Sequence, residues 1–381
     1  MTHEPSATAV AGHCDEDRVY MARALELAHK GLCTASPNPR VGCVLVRNGV
    51  VIGEGWHRRA GMPHAEIEAL SNCRDNPQGC TAYVTLEPCA HYGRTPPCCD
   101  RLVEAGVERV VVGAVDPNPL VAGNGIARIR AAGISITSGL MADESRHLNC
   151  GFFSRMERKR PWVRLKLAAS LDGRTALASG ESKWITSSAA RDDVQRYRAR
   201  ADCILTGIGT VLADDPRMTV RTGDNQEQGT HRQPTLAIVD SQIRTPADAT
   251  LYDSDREVLI YCSVEVPLTD GRAIIRHSTA TSDGRVSLSS VLHDLARREI
   301  NEVHVEGGAE LAASLLAEQL VDELILYQAP LLLGSDAKEL VAVQGFTSME
   351  QRLEFQYIDV CQIGPDMRLT LKPLYLSLIH I

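Results

Sequence analysis

The sequence predicts an α/β protein built from two different domains joined end to end. Three observations carry that prediction. The chain has 381 residues, and at about 150 residues per domain that is more than one core. Short apolar strands alternate with amphipathic helices through both halves, the pattern of a sheet covered by helices. Between residues 150 and 161 the text turns polar and basic, and the series that follows shows no internal repeat of the first.

The first series opens with "DRVYMARALELAHK" (17–30), whose apolar positions Val19, Met21, Ala22, Leu25 and Ala28 have helical spacing, with Asp15 or Asp17 as its cap. A hairpin follows: Val41 to Val46 is an apolar run, Asn48-Gly49 is the turn, and Val50 to Gly55 returns. "PHAEIEALSNC" is a helix opened by Pro63. Then come the strand "CTAYVTLEPC", the helix "PPCCDRLVEAGV", the strand "RVVVGAVDPNP", the helix "GIARIRAAG" and the strand "ISITSG". The basic run Arg155, Arg158, Lys159 and Arg160 reads as a solvated face at the domain boundary. The second series has strands at "WVRLKLAAS", "CILTG", "TLAIVD", "EVLIYC", "EVHVEG", "ELILYQAPLLLG" and, closing it, "MRLTLKPLY". Its helices are "SSAARDDVQRYRARA", "LSSVLHDLARREI" and "GGAELAASLLAEQLV", and "RTGDNQEQGTHRQP" is a polar surface loop.

Composition narrows the function. A net charge of −8 argues against a nucleic-acid binder, which needs a basic patch. No window reads as a signal peptide or a membrane span. The twelve cysteines are mostly scattered, as reduced thiols in a cytoplasmic protein would be. Residues 1–16 read as a disordered tail. Residues 376–381, "LSLIHI", match one translation of a sequencing-library adapter and read as a non-native tail.

One stretch concentrates chemistry. "EPCAHYGRTPPCC" places Cys89, His91, Cys98 and Cys99 within thirteen residues, and "PHAE" upstream adds His64 and Glu66. A zinc deaminase needs three protein ligands, one open position, and a carboxylate that moves protons without binding the metal. The H-x-E…P-C-x-x-C signature sets the histidine and the first cysteine at the starts of two helices, where thiolates gain from the positive helix end. His64, Glu66, Pro88 and Cys89 fit it. The second cysteine stands off pattern, because eight residues (90–97) replace the usual two. Cys98 and Cys99 are rivals for the third ligand, and spacing leaves the choice open. His91 as a fourth ligand would close the metal, so it reads as part of a substrate loop or as simply exposed.

These motifs carry a resemblance. "SPNPRVGCVLV", "PHAEIEAL", "AYVTLEPCAHYGRTPPCC" and "DPNPLVAGNGIARIRAAGI" resemble the deaminase half of the bifunctional riboflavin-biosynthesis deaminase/reductase family. "KLAASLDGRTALASGESKWITS", "ILTGIGTVLADDPRMTVR", "VEGGAELAASLL" and "APLLLGSDA" resemble its reductase half. The resemblance implies a cytidine-deaminase-like three-layer domain over 17–152 and a dihydrofolate-reductase-like domain over 160–373. It implies hydrolytic loss of the C2 amino group of 2,5-diamino-6-(5-phosphoribosylamino)pyrimidin-4-one, then NADPH-dependent reduction of the ribosyl chain to give 5-amino-6-(5-phosphoribitylamino)uracil. Carried over by motif, Zn2+ sits on His64, Cys89 and Cys98 with Glu66 as proton shuttle, and Cys99 is left as a packing residue. Asn38, Asp116 and Asn118 fall where pyrimidine and phosphate contacts would be useful, although Asn and Asp beside Pro also favour turns.

The reductase carry-overs also follow their motifs. Gly207 and Gly209 admit a cofactor close to the backbone, with Thr210 and Asp214 as polar anchors. Gly308, Ala309, Glu310, Leu311, Ala312, Ala313 and Ser314 line NADPH at a helix start, where free N–H groups suit a pyrophosphate. Ala168, Trp184 and Ser241 sit beside the cofactor. Ser182, Arg198, Met218, Arg221 and Glu306 face the substrate, the arginines as forks for a phosphate. Read without the family, Arg198 in "RYRARA" is a solvated basic helix face. Lys166 and Asp172 are candidates near the reacting carbon. The partner is thus a phosphorylated pyrimidine, with no nucleic acid or membrane, and a homo-oligomer is compatible with the family. The competing readings are an enzyme active in one half only, a nucleic-acid-editing deaminase, and a structural zinc module; Glu66 and the three-ligand count oppose the last.

Overall fold

The computed structural model describes residues 15–92, 96–119, 121–221, 232–264, 271 and 273–375. The tail 376–381, most of the polar loop 222–231 and the first fourteen residues lie outside the described residues. Asp15 and Glu16, expected in a tail, are instead the acidic first turn of the first helix. The chain divides into two compact units, the first ending at Glu157 and the second beginning at Arg158.

The first unit runs α1 (Asp15–His29), β1 (Gly42–Arg47), β2 (Val50–Trp56), α2 (Ala65–Ser71), β3 (Thr81–Leu86), α3 (Cys98–Glu104), β4 (Arg109–Ala114), α4 (Asn124–Ala131), β5 (Ser135–Ser138), α5 (Ala142–Leu148) and α6 (Cys150–Arg158). Its five strands lie in the order β2-β1-β3-β4-β5, with the hairpin antiparallel and β3, β4 and β5 parallel. Strand alternation makes three layers. On one face Val44 and Val46 of β1 pack with Met21, Ala24 and Leu27 of α1. On the other, Cys43 and Leu45 pack with Ala65 and Ala69 of α2, Leu102 of α3 and Ile129 of α4. Each fully buried aliphatic side chain of this kind contributes about 1.5–3 kcal/mol. Gly42 lets α1 lie directly on β1, since a Cβ there would stand 2.0 Å from the Ala24 carbonyl oxygen.

The 150–161 segment differs from the sequence reading. It contains α6, whose Phe152 and Phe153 are buried against Leu86 and Ala114. Its basic residues are not simply solvated: Arg155 lies 5.9 Å from the Phe152 ring, and the side chain of Arg160, 15% exposed, pairs with Asp322. The charge count hid an amphipathic helix, because guanidinium groups cover the aromatic rings that the helix buries.

The second unit comprises β6 (Trp162–Ser170), β7 (Arg174–Ala176), α7 (Ser188–Arg200), β8 (Cys203–Gly207), α8 (Ile208–Asp214), β9 (Thr235–Val239), β10 (Val258–Cys262), β11 (Ile274–His277), α9 (Leu288–Arg297), β12 (Glu302–Glu306), α10 (Ala309–Ala317), β13 (Glu323–Ala329), β14 (Lys338–Glu339), β15 (Glu354–Ile363) and β16 (Asp366–Leu374). The large sheet has the order β11-β10-β9-β8-β12-β6-β13-β16-β15. It is parallel from β11 to β13 and ends in the antiparallel hairpin β15/β16. Helices α9 and α10 cover one face through Val291, Leu295, Leu315 and Leu316. Helices α7 and α8 cover the other. Strand β12 enters between β8 and β6, so the direction in which successive strands are added across the sheet reverses there, the place where open α/β sheets form a crevice at the strand C-termini.

Candidate active sites

In the first unit, His64 is the N-cap of α2, and Glu66 is the second residue of that helix, 3% exposed. Cys98 is the first residue of α3, behind Pro97 at its N-cap. The His64 Nδ1 lies 3.6 Å from the Cys89 Sγ and 3.3 Å from the Cys98 Sγ. All three donor atoms fall within 4.8 Å of one another, and no other such group of three occurs among the described residues. Cys99 does not join them. It is fully buried with Leu102 and Ile129 in the core, and burial pushes its thiol up to about 11.

One detail corrects the sequence reading. Cys89 does not begin a helix of its own; it ends the β3 loop. It reaches a helix start through space, because the Cys98 N–H, the first of α3, donates to the Cys89 Sγ at 3.3 Å, and the Cys99 N–H donates to the Cys89 carbonyl at 3.3 Å. The two sulfurs share one negative charge. The Cys98 thiol pulls the Cys89 pKa down, against burial and with help from His64, to about 4, and the resulting thiolate pushes the Cys98 thiol up. Two sulfurs and one imidazole nitrogen at this separation are the donor set of a zinc site with a position left open. Glu66 stands beside it, and burial raises its carboxyl to about 7.

A cleft of about 700 Å³ opens on these residues, bordered by Met62, Ile67, His91, Pro96 and Arg101. His91 is thus exposed on the cleft wall and outside the donor cluster. Asn38 reaches the site indirectly: its Nδ2 lies 3.0 Å from the Nε2 of His57, whose Nδ1 is 3.0 Å from the Pro63 carbonyl. Burial lowers the pKa of His57. The neutral ring then donates from Nδ1 to Pro63 and accepts from Asn38 at Nε2. Asp116 is 7% exposed, and its Oδ1 accepts the Asn118 N–H at 2.8 Å, so the turn chemistry of "DPNP" is realised. Sequence reasoning passed over His57 and Glu87, whose partners are non-local.

In the second unit, Arg198 and Glu306 form a two-pronged pair with side chains 11% and 13% exposed. The solvated-face reading of Arg198 is therefore wrong. In the same basic stretch Arg196 is 85% exposed, while Arg200 turns inward to Glu302. Burial would push the Glu306 carboxyl up, but Arg198 and His304 together hold it well below the usual carboxylate range. Lys166 is the register partner of Glu306 on β6, and burial lowers its pKa. Asp172 is tied into a turn instead: it accepts Ser170 Oγ and the Gly334 N–H, and the Ser170 bond lowers it to about 2.

The expected cofactor residues separate into two groups. Gly308 is the N-cap of α10 with open space where a Cβ would stand, and the first-turn amides of Ala309, Glu310 and Leu311 follow it. Gly207 caps α8 on the neighbouring strand, with Gly209 and Thr210 in that helix's first turn and Asp214 exposed at its end. Ala312 departs from expectation: its side chain is fully buried in the core between α10 and the sheet. The Ser314 Oγ bonds back to the Glu310 carbonyl at 3.0 Å. Met218 is likewise 5% exposed among Ile208, Val211 and Leu236, so its side chain faces the core and not a ligand. Ala168 lies on β6 beside Tyr327, Trp184 is exposed under the Arg191 guanidinium, and Ser241 follows β9 and accepts the Val286 N–H. Ser182 is part-exposed, and the Arg221 N–H bonds Gln195.

Comparison with known proteins agrees with this division. Residues 14–114 match the cytidine and deoxycytidylate deaminase zinc-binding region, and residues 161–369 match the RibD C-terminal domain. The chain belongs to the RibD family. It is 47% identical to the riboflavin biosynthesis protein RibD of Escherichia coli K12 over 93% of this chain and 99% of that one. The Haemophilus influenzae RibD is 46% identical over 94% and 98%. Among solved structures, Acinetobacter baumannii RibD superimposes with a TM-score of 0.88 at 45% identity, covering 94% of this chain and 99% of that one. The Thermotoga maritima diaminohydroxyphosphoribosylaminopyrimidine deaminase/5-amino-6-(5-phosphoribosylamino)uracil reductase gives a TM-score of 0.85 at 32% identity, over 94% of this chain and 99% of that one. As a RibD-family member the chain is a bifunctional deaminase and reductase of riboflavin biosynthesis, using Zn2+ and NADPH on a small pyrimidine substrate. Among the described residues no disulfide is formed, and no helix is long and apolar enough to cross a membrane.

Proposed function

We propose that the first unit hydrolyses the C2 amino group of 2,5-diamino-6-(5-phosphoribosylamino)pyrimidin-4-one to release ammonia, and that the second reduces the ribosyl side chain of the product to ribityl. The observation that carries this reading is the cluster of His64, Cys89 and Cys98 with the buried Glu66 carboxyl beside it. His64, Cys89 and Cys98 would hold zinc, which would supply the Lewis acidity that makes water acidic near neutral pH. Glu66, with its carboxyl raised to about 7 by burial, is suited to take a proton from water and return it to the departing amine. Asn38, oriented through His57, presents its amide to the pyrimidine, and Asp116 and Asn118 border the same ring.

In the second unit, NADPH supplies the hydride. The first-turn amides of α10 receive its pyrophosphate, and Gly207 and Gly209 let it approach β8. Thr210, Asp214, Ser241, Ala168 and Trp184 border it. Glu306 and Arg198 hold the substrate's ribose and phosphate, with Ser182 and Arg221 at the rim. Lys166, its pKa lowered, is placed to move a proton beside Glu306. The net charge of −8 supports a small-molecule substrate over nucleic acid, and the lack of disulfides among the described residues supports a cytoplasmic location.

The test is a coupled assay of the full chain on the diaminopyrimidine, following ammonia and NADPH together. Ammonia release should precede NADPH oxidation, and the deaminated intermediate alone should oxidise NADPH. NADPH consumption on the undeaminated substrate, or tight RNA binding at physiological salt, would contradict the reading.

A further inference from the structure

Glu87 stands two residues before Cys89 and has no part in the deaminase signature. Its side chain is 4% exposed and accepts four backbone N–H groups. Oε2 takes those of Asp116 at 3.2 Å and Gly123 at 2.9 Å, and Oε1 takes those of Gly125 at 2.9 Å and Ile126 at 3.1 Å. These donors span the loop that carries Asp116 and Asn118 and the first turn of α4. Charge-assisted bonds of this kind are about twice as strong as neutral ones, and the positive end of α4 adds to them. The Glu87 N–H donates to the Ala114 carbonyl at 2.9 Å, so backbone and side chain are both held.

Helix α4 also reaches the other cysteine. Arg128 pairs with Asp100, two residues after Cys98 in the first turn of α3, at 2.7 Å, and donates to the Ala90 carbonyl at 3.5 Å. Gly125 also lies directly against the loop, since a Cβ there would stand 2.0 Å from the Pro88 carbonyl oxygen. Only Pro88, with its fixed φ, separates Glu87 from Cys89, so a displacement of Glu87 passes to the sulfur.

We infer that Glu87 is a positioning residue of the deaminase centre, locking the Cys89 loop and the Asp116–Asn118 loop into one unit so that metal geometry and pyrimidine recognition are set together. This rests on Cys89 being a zinc ligand. Substitutions outside the ligand set that disturb ligand orientation typically cost 10–100-fold in metal affinity or activity.

The experiment uses the full chain with Glu87→Gln, whose amide turns one acceptor arm into a donor facing N–H groups. Zinc affinity, measured by chelator competition, should fall about 10–100-fold. The visible spectrum of the cobalt-substituted protein should shift, and KM for the diaminopyrimidine should rise as well as kcat falling. NADPH oxidation with the deaminated intermediate should stay at the wild-type rate, which reports a folded second unit, and an unchanged circular-dichroism spectrum reports a folded first unit. Gly125→Ala, pushing the same loop through Pro88, should shift the cobalt spectrum too, and it decides the matter if Glu87→Gln does not fold. Normal zinc affinity, spectrum and KM in both variants would overturn the inference alone. Absence of a thiolate-to-cobalt charge-transfer band in the wild-type protein would overturn the ligand assignment, and this inference with it.

Discussion

Arg198 grips Glu306 through two parallel hydrogen bonds, Nε to Oε1 at 2.5 Å and Nη2 to Oε2 at 3.0 Å, between groups 108 residues apart. Removing one member leaves the other charge buried without its partner, at a cost of about 3–5 kcal/mol. Arg198→Met should therefore destabilise the second unit strongly in denaturant unfolding, and Glu306→Gln should do so less. The double variant should recover most of the lost stability. If the pair also meets the substrate, as proposed above, its NADPH oxidation should stay at least about 100-fold down, a loss of about 2.7 kcal/mol of transition-state stabilisation. A double variant that reduces the intermediate normally would confine the pair to a structural role.

Glu66 is a buried carboxyl beside the His64, Cys89 and Cys98 cluster, with its pKa raised by burial to about 7. Loss of a general acid–base group typically costs 10²–10⁴-fold. Glu66→Gln should lose ammonia release by about that factor. Zinc content should stay at the wild-type level, because the carboxylate is not in the donor set, and NADPH oxidation with supplied intermediate should be unchanged. Unchanged ammonia release would remove Glu66 from the mechanism.

How far the sequence could be read depended on whether a feature was local. His64, Glu66 and Cys89 lie in short motifs, and their helix or strand neighbours are close in sequence. The strands β1, β3, β4 and β8 are largely apolar runs bounded by turns, and β12 alternates polar and apolar residues, so their existence was legible. Arg198 was not, because it is one of four arginines on its helix and its partner Glu306 is a long-range contact. Glu87 was hidden for the same reason: its four donors lie 29 to 39 residues further on. Helix α6 was obscured by arginines lying over its aromatic rings. Strand β15 has little periodic burial, since most of its residues are exposed at the sheet edge. Met218 and Ala312 show the converse: a motif carried over whole includes positions that serve the core.

Cys98 and Cys99 are adjacent on α3, yet they point to different surroundings. The Cys98 Sγ is 3.3 Å from the His64 Nδ1, and Cys99 is fully buried beside Leu102. Cys98→Ala should abolish zinc retention and ammonia release together. Cys99→Ala should keep zinc at one ion per chain and cost only the packing of one buried sulfur, on the order of 1 kcal/mol. Metal analysis after gel filtration separates the two. Loss of zinc in Cys99→Ala alone would exchange their roles.

Asp116 makes a prediction about pH. Burial raises its carboxyl to about 6, against the Asn118 amide, which favours the charged form, and with a further push from Glu87. In the unfolded chain the group titrates near 3.9, roughly its ordinary value. Between pH 4 and 6, roughly, the folded chain holds a proton that the unfolded chain has released, so this group makes stability fall as pH rises through that window. At 1.36 kcal/mol per pKa unit the penalty above the window is at most about 3 kcal/mol. Asp116→Asn keeps an oxygen to accept the Asn118 N–H and removes the titration. The stability advantage of the Asn variant should therefore grow from pH 4 to about 6.5 and then level off, as read from unfolding of the first unit at each pH. An advantage that is constant across that range would mean that the Asp116 carboxyl is hydrated and titrates normally, and its burial would then have no electrostatic consequence.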